Sequence, residues 1–527
     1  MLRKLYLTNQ QLFQKLSNGS KILKDNVANT LGPKGQNVIL ISKNGNPIIT
    51  KDGVTVAKFV SLDDPFENAA VQILKQAAEK TNTMAGDGTT TSIVLSHTML
   101  TEAQKYLAAG YNSTIIQRSM QKALDLLVEQ LSLQVKKVES LKEIEYIAAI
   151  SANNDPEIGK LIAEAVDKIG KNGAITIEDS RSLNTVLSII EGFQFDSGLI
   201  ASAFITNESR SLMQYDNPLI LVTDHKIEFL DEILQSILEP AARDGRPLVI
   251  IAEDVVGQAL AALVANVYRG SMRVSAIKAP CYGEERLQVL SDLALSVNAN
   301  FISRNSGKTL RDFEFSDFGN AKTIEASKVS TIIVGGKCDW ETIDNKIEAL
   351  KAAMSKTDDL NECERISKRI ARLSSSVAVI SIGGSTEIEV IEKKHRVEDA
   401  LLAVKAAQDE GILPGGGLAL LKAQTQLECN EQDYESLKLG IKIIKSACEA
   451  PFRQMAINSD LSADVLLEQI KNSDYTLGCD FKDGELKDMF SSGIIDPFKV
   501  TRVALVNAVS SVSTLITANY AISEVEN

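Results

Sequence analysis

Helical periodicity occupies both ends of this chain and an α/β alternation fills its middle, so the ends are expected to fold together into one helical domain interrupted by a second one. From the start to about residue 134, stretches such as "FENAAVQILKQAAEKTNT" and "SIVLSHTMLTEAQKYLAAG" place apolar residues at helical spacing. They are broken by "LGPKGQNVILISKNGNPIITKDGVTV", whose alternation and Gly-Asn-Pro turn chemistry predict a β-hairpin. Between about residues 190 and 375, short apolar runs ("PLILVTD", "PLVIIAED", "VSAIKAP", "STIIVGG") alternate with helical text such as "EDVVGQALAALVANVYRG". The chain then closes in "PFKVTRVALVNAVSSVSTLITANYAI", helical again. No fixed-period repeat or low-complexity segment interrupts this plan.

Charge and cysteine usage exclude several function classes. A net charge of -13 over 527 residues argues against nucleic-acid binding, which needs a basic face to neutralise phosphates. The cysteines are scattered without a C-x-x-C pair, and three histidines give no zinc spacing, which suits a reducing compartment. The N-terminal "MLRKLYLTNQQLFQKL" lacks a long apolar core, and no stretch approaches the roughly 18 apolar residues that span a bilayer. The expectation is a soluble cytoplasmic protein, or one of an organelle stroma or matrix, without membrane partners.

The junction "MAGDGTTTS" is longer than a turn between two helices needs. A helix start has N–H groups without partners and a positive dipole end, so a glycine-led entry followed by hydroxyls is a ready anion site. Asp87, between Gly86 and Gly88, is placed to reach a magnesium ion bridging phosphate oxygens. A capped helix start with a solvated carboxylate accounts for the same residues. The other glycine pieces, "TLGPKG", "TKDGVT" and "GGG", are individually compatible with plain tight turns.

Taken in order, "TLGPKG", "TKDGVTVAK", "AGDGTTT", "ISANND", "RVEDAL", "EGILPGGG" and "IIDPFKVTR" resemble the group I chaperonins, the GroEL type, nearly end to end. That family has no Walker A loop, and this chain has none; "SRNSGKT", ending at Thr309, lacks the first glycine. The resemblance implies a multidomain α/β and α fold. Its mainly helical equatorial domain would comprise residues 1–134 and 411–527, its small intermediate domain 135–190 and 376–410, and its α/β apical domain 191–375.

The resemblance also implies ATP, Mg²⁺ and K⁺ as cofactors. Thr30, Leu31, Gly32 and Pro33 would touch the nucleotide, Lys51 and Asp52 would lie beside the phosphates and the potassium ion, and Asp87 would hold Mg²⁺. Gly88, Thr89, Thr90 and Thr91 would cradle phosphates. Asp399 would activate the attacking water, with Asp52 as its catalytic companion; without the resemblance a solvated helix carboxylate is the better reading of Asp399. Gly415, Gly416, Ile150, Ile494 and Asp496 would border ribose and base, with Asp480 and Phe481 at a base loop reading "GCDFKDGE" where the family has Asn-Ala-Ala.

A general binder of non-native proteins needs apolar surface facing solvent. Helices over "EFLDEILQSILEP" and "GQALAALVANVY" would supply it through Leu234, Ile237, Leu260 and Val264, with Leu199 and Phe204 nearby; core faces of amphipathic helices are the alternative. Implied partners are further copies of the chain in a seven-membered ring, single or stacked in pairs, a co-chaperonin lid of the GroES type, and unfolded clients. Gly192 and Gly411 match hinge glycines. Departures mark a divergent member: Leu199 and Ala203 stand where the family has tyrosines, Ser197 where it has arginine, Ser375-Ser376 for a glycine pair, no proline in "LQVKKVES", and no Gly-Gly-Met tail. The expected function is ATP-driven protein folding; the alternative is a ring-forming ATP-binding paralogue with changed clients or a non-folding role.

Overall fold

The long helices begin and end where local chemistry satisfies their orphan backbone groups. Asp64 accepts from the N–H groups of Phe66 and Glu67 at 3.0 Å each, Pro65 fills the first turn where no N–H is needed, and Gly86 at φ 77° terminates helix Pro65–Ala85. Ser140 and Glu143 form a reciprocal capping box ahead of helix Leu141–Ser151. The computed structural model describes residues 3–41, 47–170, 174–180, 182–208, 211–338, 340–354, 360–373, 376–427, 435–471 and 473–525. The chain divides into two compact units, Met1–Glu164 with Ser385–Asn527, and Ala165–Gly384.

In the first unit, helix Ser113–Ser132 packs on Glu435–Asn458, and helices Pro65–Ala85 and Thr89–Ala108 pack on Phe498–Ile516. The expected union of both chain ends is therefore found. Leu74, Leu95 and Leu127 from one end share a buried core with Ile444, Leu505 and Val509 from the other. Burying each such side chain contributes about 1.5–3 kcal/mol, and this core ties the segments together. Strand Arg3–Thr8 pairs antiparallel with Tyr520–Val525, from Arg3↔Val525 to Thr8↔Tyr520. The expected hairpin is Val38–Leu40 against Ile48–Thr50; its Gly-Asn turn lies outside the described residues.

The second unit holds two sheets. In one, Val274–Lys278, Leu248–Ala252 and Leu219–Val222 run parallel in that order, edged by the antiparallel pair Gly319–Asn320. These strands are apolar on both faces because helices such as Gly257–Tyr268 and Gly283–Val297 cover them. The other sheet has six strands, with Val186–Phe195 between Ser376–Ile382 and Thr331–Val334. Gly192 lies within this central strand. A Cβ there would stand 2.4 Å from Val377 Cγ2, so close packing, not left-handed backbone, requires the glycine. Gly411 does adopt φ 89°, with Val135 Cγ1 2.5 Å from where its Cβ would be. Ser375 lies outside the described residues.

"EFLDEILQSILEP" departs from the single amphipathic helix expected of it. It forms a 3-10 turn Leu230–Glu232, a π-helical turn Leu234–Leu238 and helix Glu239–Asp244. Pro240 has no N–H to donate four residues back, so a regular ladder cannot run through it. The N–H groups of Ile237 and Leu238 both turn to the Ile233 carbonyl, at 3.1 and 2.9 Å.

Candidate functional site

The first unit contains a cavity of about 570 Å³ into which most of the glycine-rich segments converge. One wall is the junction singled out in the sequence. Gly86 and Gly88 both adopt left-handed backbone, at φ 77° and 88°, and turn the chain so that helix Thr89–Ala108 begins at the cavity. Gly88 precedes the helix without a side-chain cap. The first-turn N–H groups therefore lack the usual protein acceptor, as an anion site requires.

Asp87, Gly88, Thr90 and Thr91 line this end, and Thr89 stands behind it with its hydroxyl buried and without a hydrogen-bond partner. Thr30 Oγ1 lies 3.3 Å from Thr90 Oγ1, and Gly53 leaves room for that hydroxyl, since a Cβ there would stand 2.2 Å from it. Leu31, Gly32 and Pro33 continue the wall. Lys51 reaches across to donate to the Gly32 carbonyl at 3.2 Å, and burial holds its ammonium below the usual lysine range.

Asp87 is open to water from the cavity, yet the surrounding walls poorly solvate its charge. Burial, then the nearby Asp52 charge, push its carboxyl above the usual range, against the Gly88 N–H that it accepts at 2.5 Å. Asp52 is the N-cap of helix Gly53–Phe59, accepting from Val54 and Thr55 N–H at 3.0 and 2.8 Å and from the Thr55 hydroxyl at 2.6 Å. Its position in the cavity wall is thus fixed by a structural task.

Asp399 reaches the cavity from helix Glu387–Glu410, and Ile150 from the end of helix Leu141–Ser151. At the far end lie Gly416, Asp480, Phe481, Ile494 and Asp496. Gly415 sits just behind: its N–H donates to the Ile494 carbonyl at 2.9 Å, and a Cβ there would approach Asp496 Oδ1 to 3.1 Å. Burial and then the Asp87 charge push the Asp496 carboxyl up to about 7.

The donor set suits a hard cation. Asp87 offers a carboxylate beside hydroxyls and an uncapped helix start, and Mg²⁺ takes one or two carboxylates with phosphate oxygens completing its shell. Among the described residues no group of three or more His, Cys, Asp or Glu forms a metal cage. A cation held here would therefore depend on ligand oxygens. The lookalike "SRNSGKT" is a loop of the second unit followed only by the short 3-10 turn Leu310–Asp312, with Ser303 Oγ donating to Asp224 at 3.0 Å.

Several cavity residues were not singled out from the sequence. Tyr146, Ser151, Asn153, Asn154 and Arg396 all line it. Asn153 and Asn154 hold φ 60° and 62°, uncommon outside glycine and concentrated at functional sites. Arg396 bridges Asp155 at 3.0 Å and Glu392 at 2.7 Å, while its buried Nε has no partner. The motifs "ISANND" and "RVEDAL" contain all but Tyr146 and Glu392 of these residues, so the signal was present beside the residues chosen.

The apolar residues of the second unit divide differently from the expectation. Leu199, Phe204 and Ile237 are buried in its core. Leu199 donates its N–H to Ser327 in a crossing between strands, Phe204 closes a 3-10 turn, and Ile237 points inward from the π-helical turn. Leu234 is 38% exposed, and Leu260 and Val264 are half-buried on helix Gly257–Tyr268. Phe229 and Tyr268, not singled out before, are exposed.

A helical unit assembled from both chain ends around a glycine-lined cavity, interrupted by an α/β unit, defines the chaperonin fold. The TCP-1/cpn60 chaperonin family matches residues 23–526, and this chain belongs to that family. Among solved structures it is similar to the chaperonin gp146 from bacteriophage EL 2 (Pseudomonas aeruginosa), determined in the presence of ATP-BeFx. The identity is 20%, 98% of each chain is covered, and the TM-score is 0.67.

Proposed function

We propose that the protein is an ATP-driven chaperone that captures non-native proteins on apolar surface of its α/β unit and promotes their folding inside a ring. The observation that carries this reading is the convergence of five separated segments, around Thr30, Lys51, Asp87, Asp399 and Asp496, on one cavity at an uncapped helix start. Such a cavity suits a triphosphate with Mg²⁺ on Asp87, and the alkali-ion place beside Lys51 and Asp52 belongs to the same reading. Asp399 would orient the attacking water. Family membership and the nucleotide analogue accompanying the bacteriophage chaperonin support hydrolysis of ATP. The division into equatorial, intermediate and apical domains, a seven-membered ring, a lid of the GroES type and a cytoplasmic or organellar setting belong to the proposal.

A paralogue with changed clients is the second reading. It is favoured by the burial of Leu199, Phe204 and Ile237, which leaves a smaller apolar surface around Phe229, Leu234 and Tyr268. Refolding of a denatured enzyme by the purified protein, with and without ATP, Mg²⁺ and a lid protein, tests both. ATP-dependent recovery supports the folding reading; ATP hydrolysis without recovery supports the paralogue.

A further inference from the structure

The cavity wall at residues 30–33 has little regular structure of its own. Helix Asn9–Val27 runs into a single 3-10 turn, Ala28–Thr30, closed by the Leu31 N–H on the Ala28 carbonyl at 3.2 Å, and Gly32 then leaves it at φ 85°. One such turn is held by few backbone bonds, so its position depends on what braces it from behind. The brace is the last turn of helix Glu435–Asn458, from the other end of the chain. Asn458 Nδ2 donates to the Ala28 carbonyl at 2.8 Å and to the Leu31 carbonyl at 2.9 Å, and so spans the turn from its first residue to the one after its last. On its other side Asn458 Oδ1 accepts from the Nε2 of buried Gln454 at 2.9 Å. Met455 on the same turn fills the space beside Gly32, where a Cβ would stand 2.9 Å from the Met455 Cγ.

These contacts fix the amide's orientation. A carbonyl oxygen only accepts, so the Asn458 group facing Ala28 and Leu31 must be its NH2, which has two donors; Gln454 must then turn its own amide nitrogen to Asn458 Oδ1. Thr30, Leu31, Gly32, Pro33 and Met455 line the cavity, whereas Asn458 and Gln454 stand behind that lining. The pair therefore acts on the wall and not on its contents.

We propose that Asn458, oriented by Gln454, is a positioning residue for nucleotide binding: by pinning the Ala28 and Leu31 carbonyls it holds Thr30 and Leu31 where the nucleotide meets them, with Thr30 against Thr90 at the phosphate end. The inference rests on the reading of the cavity as a nucleotide site. A wall that contacts the nucleotide alike in ground and transition states contributes uniform binding, so loss of its brace should raise KM far more than it lowers kcat.

Asn458→Asp tests it, because the side chain keeps its size and shape while two donors give way to a carboxylate facing two carbonyl oxygens. With full-length protein at pH 8, the Kd for Mg·ATP measured by calorimetry should rise on the order of ten-fold or more, and kcat at saturating ATP should fall by less than about three-fold. Gln454→Met, which keeps both Asn458 donors but frees the amide to turn, should raise Kd by a smaller factor. A thermal melt accompanies each variant. A merely structural role for Asn458 would lower the melting temperature and the folded fraction, and kcat with it, while the folded protein keeps the wild-type Kd; that result overturns the inference. If Asn458→Asp does not fold, Gln454→Met decides, and a wild-type Kd there overturns the inference and leaves the nucleotide reading standing. If the wild-type protein binds no ATP, the nucleotide reading fails and this inference falls with it.

Discussion

Asp87 and Asp496 belong to opposite ends of the chain and are electrostatically coupled across one cavity: burial and the Asp87 charge together push the Asp496 carboxyl up to about 7. Its unfolded value is about 3.9, so between these values the folded chain binds the extra proton. Stability is then fully present below about pH 4, declines as pH rises, and levels off above about pH 7 in the absence of Mg²⁺ and nucleotide. Asp496→Asn should remove that decline, gaining on the order of 4 kcal/mol over wild type at pH 8 and little at pH 4. Denaturant titrations at the two pH values measure it; equal effects at both would refute the coupling.

Removing Asp87 should affect both turnover and its partner. Asp87→Asn is expected to abolish Mg²⁺-dependent phosphate release while the protein remains folded, because a metal carboxylate is lost from an open cavity. The Asp496 carboxyl should fall, since one cause of its elevation is gone. Phosphate release and carboxyl NMR titration report the two consequences independently, and wild-type turnover would reject the metal assignment.

Asp399 should separate binding from chemistry. A carboxylate that orients water acts mainly in the transition state, so Asp399→Ala should lower kcat by about 10²–10⁴-fold with nearly unchanged ATP affinity. Stopped-flow binding alongside steady-state phosphate release measures the split. Proportional losses, or no loss of turnover, would leave Asp399 a structural helix residue.

Leu234 and Ile237 lie three residues apart on one π-helical turn but differ in burial. Leu234→Ser should weaken capture of an unfolded protein with little change in melting temperature. Ile237→Ala should cost about 2–5 kcal/mol because it opens a cavity in the core. Calorimetry with a client-capture assay distinguishes them, and early melting of the Leu234 variant with intact capture would place Leu234 among the core residues.

Gly86 offers a test of the junction itself. Its φ of 77° disfavours any Cβ, and one would stand 2.0 Å from Leu402 Cβ. Gly86→Ala should therefore destabilise by roughly 1–3 kcal/mol, read as a shift in the denaturation midpoint. Leu402→Ala retains the obstructing Cβ, so adding it should recover little.

What was legible in the sequence was what local rules control. The glycine-led helix start, the Val38–Thr50 hairpin pairing and the parallel strands follow from turn chemistry and periodicity, and those elements are present where expected. Less legible was which face of an apolar segment meets the core. Phe204 and Ile237 have the same chemistry as a client-binding residue, and only packing shows them buried. The break at Pro240 was visible as a residue, but its effect on the preceding turn depends on Ile233 accepting twice. Asp52 shows the complementary difficulty: a residue beside a ligand cavity also serves as a helix cap, and sequence carries no mark of which task constrains it.

The pairing of Arg3–Thr8 with Tyr520–Val525 has a mechanical consequence. Because the strands are antiparallel and Arg3 faces Val525, a force drawing residues 3 and 525 apart loads the outermost rung first and opens the ladder one rung at a time toward Thr8 and Tyr520. Peeling of this kind yields at low tension, whereas sliding strands along their length would strain every rung together. The first event in an optical-trap pulling trace should accordingly be a small, low-force extension from release of this ribbon, preceding rupture of the helical core that both ends share.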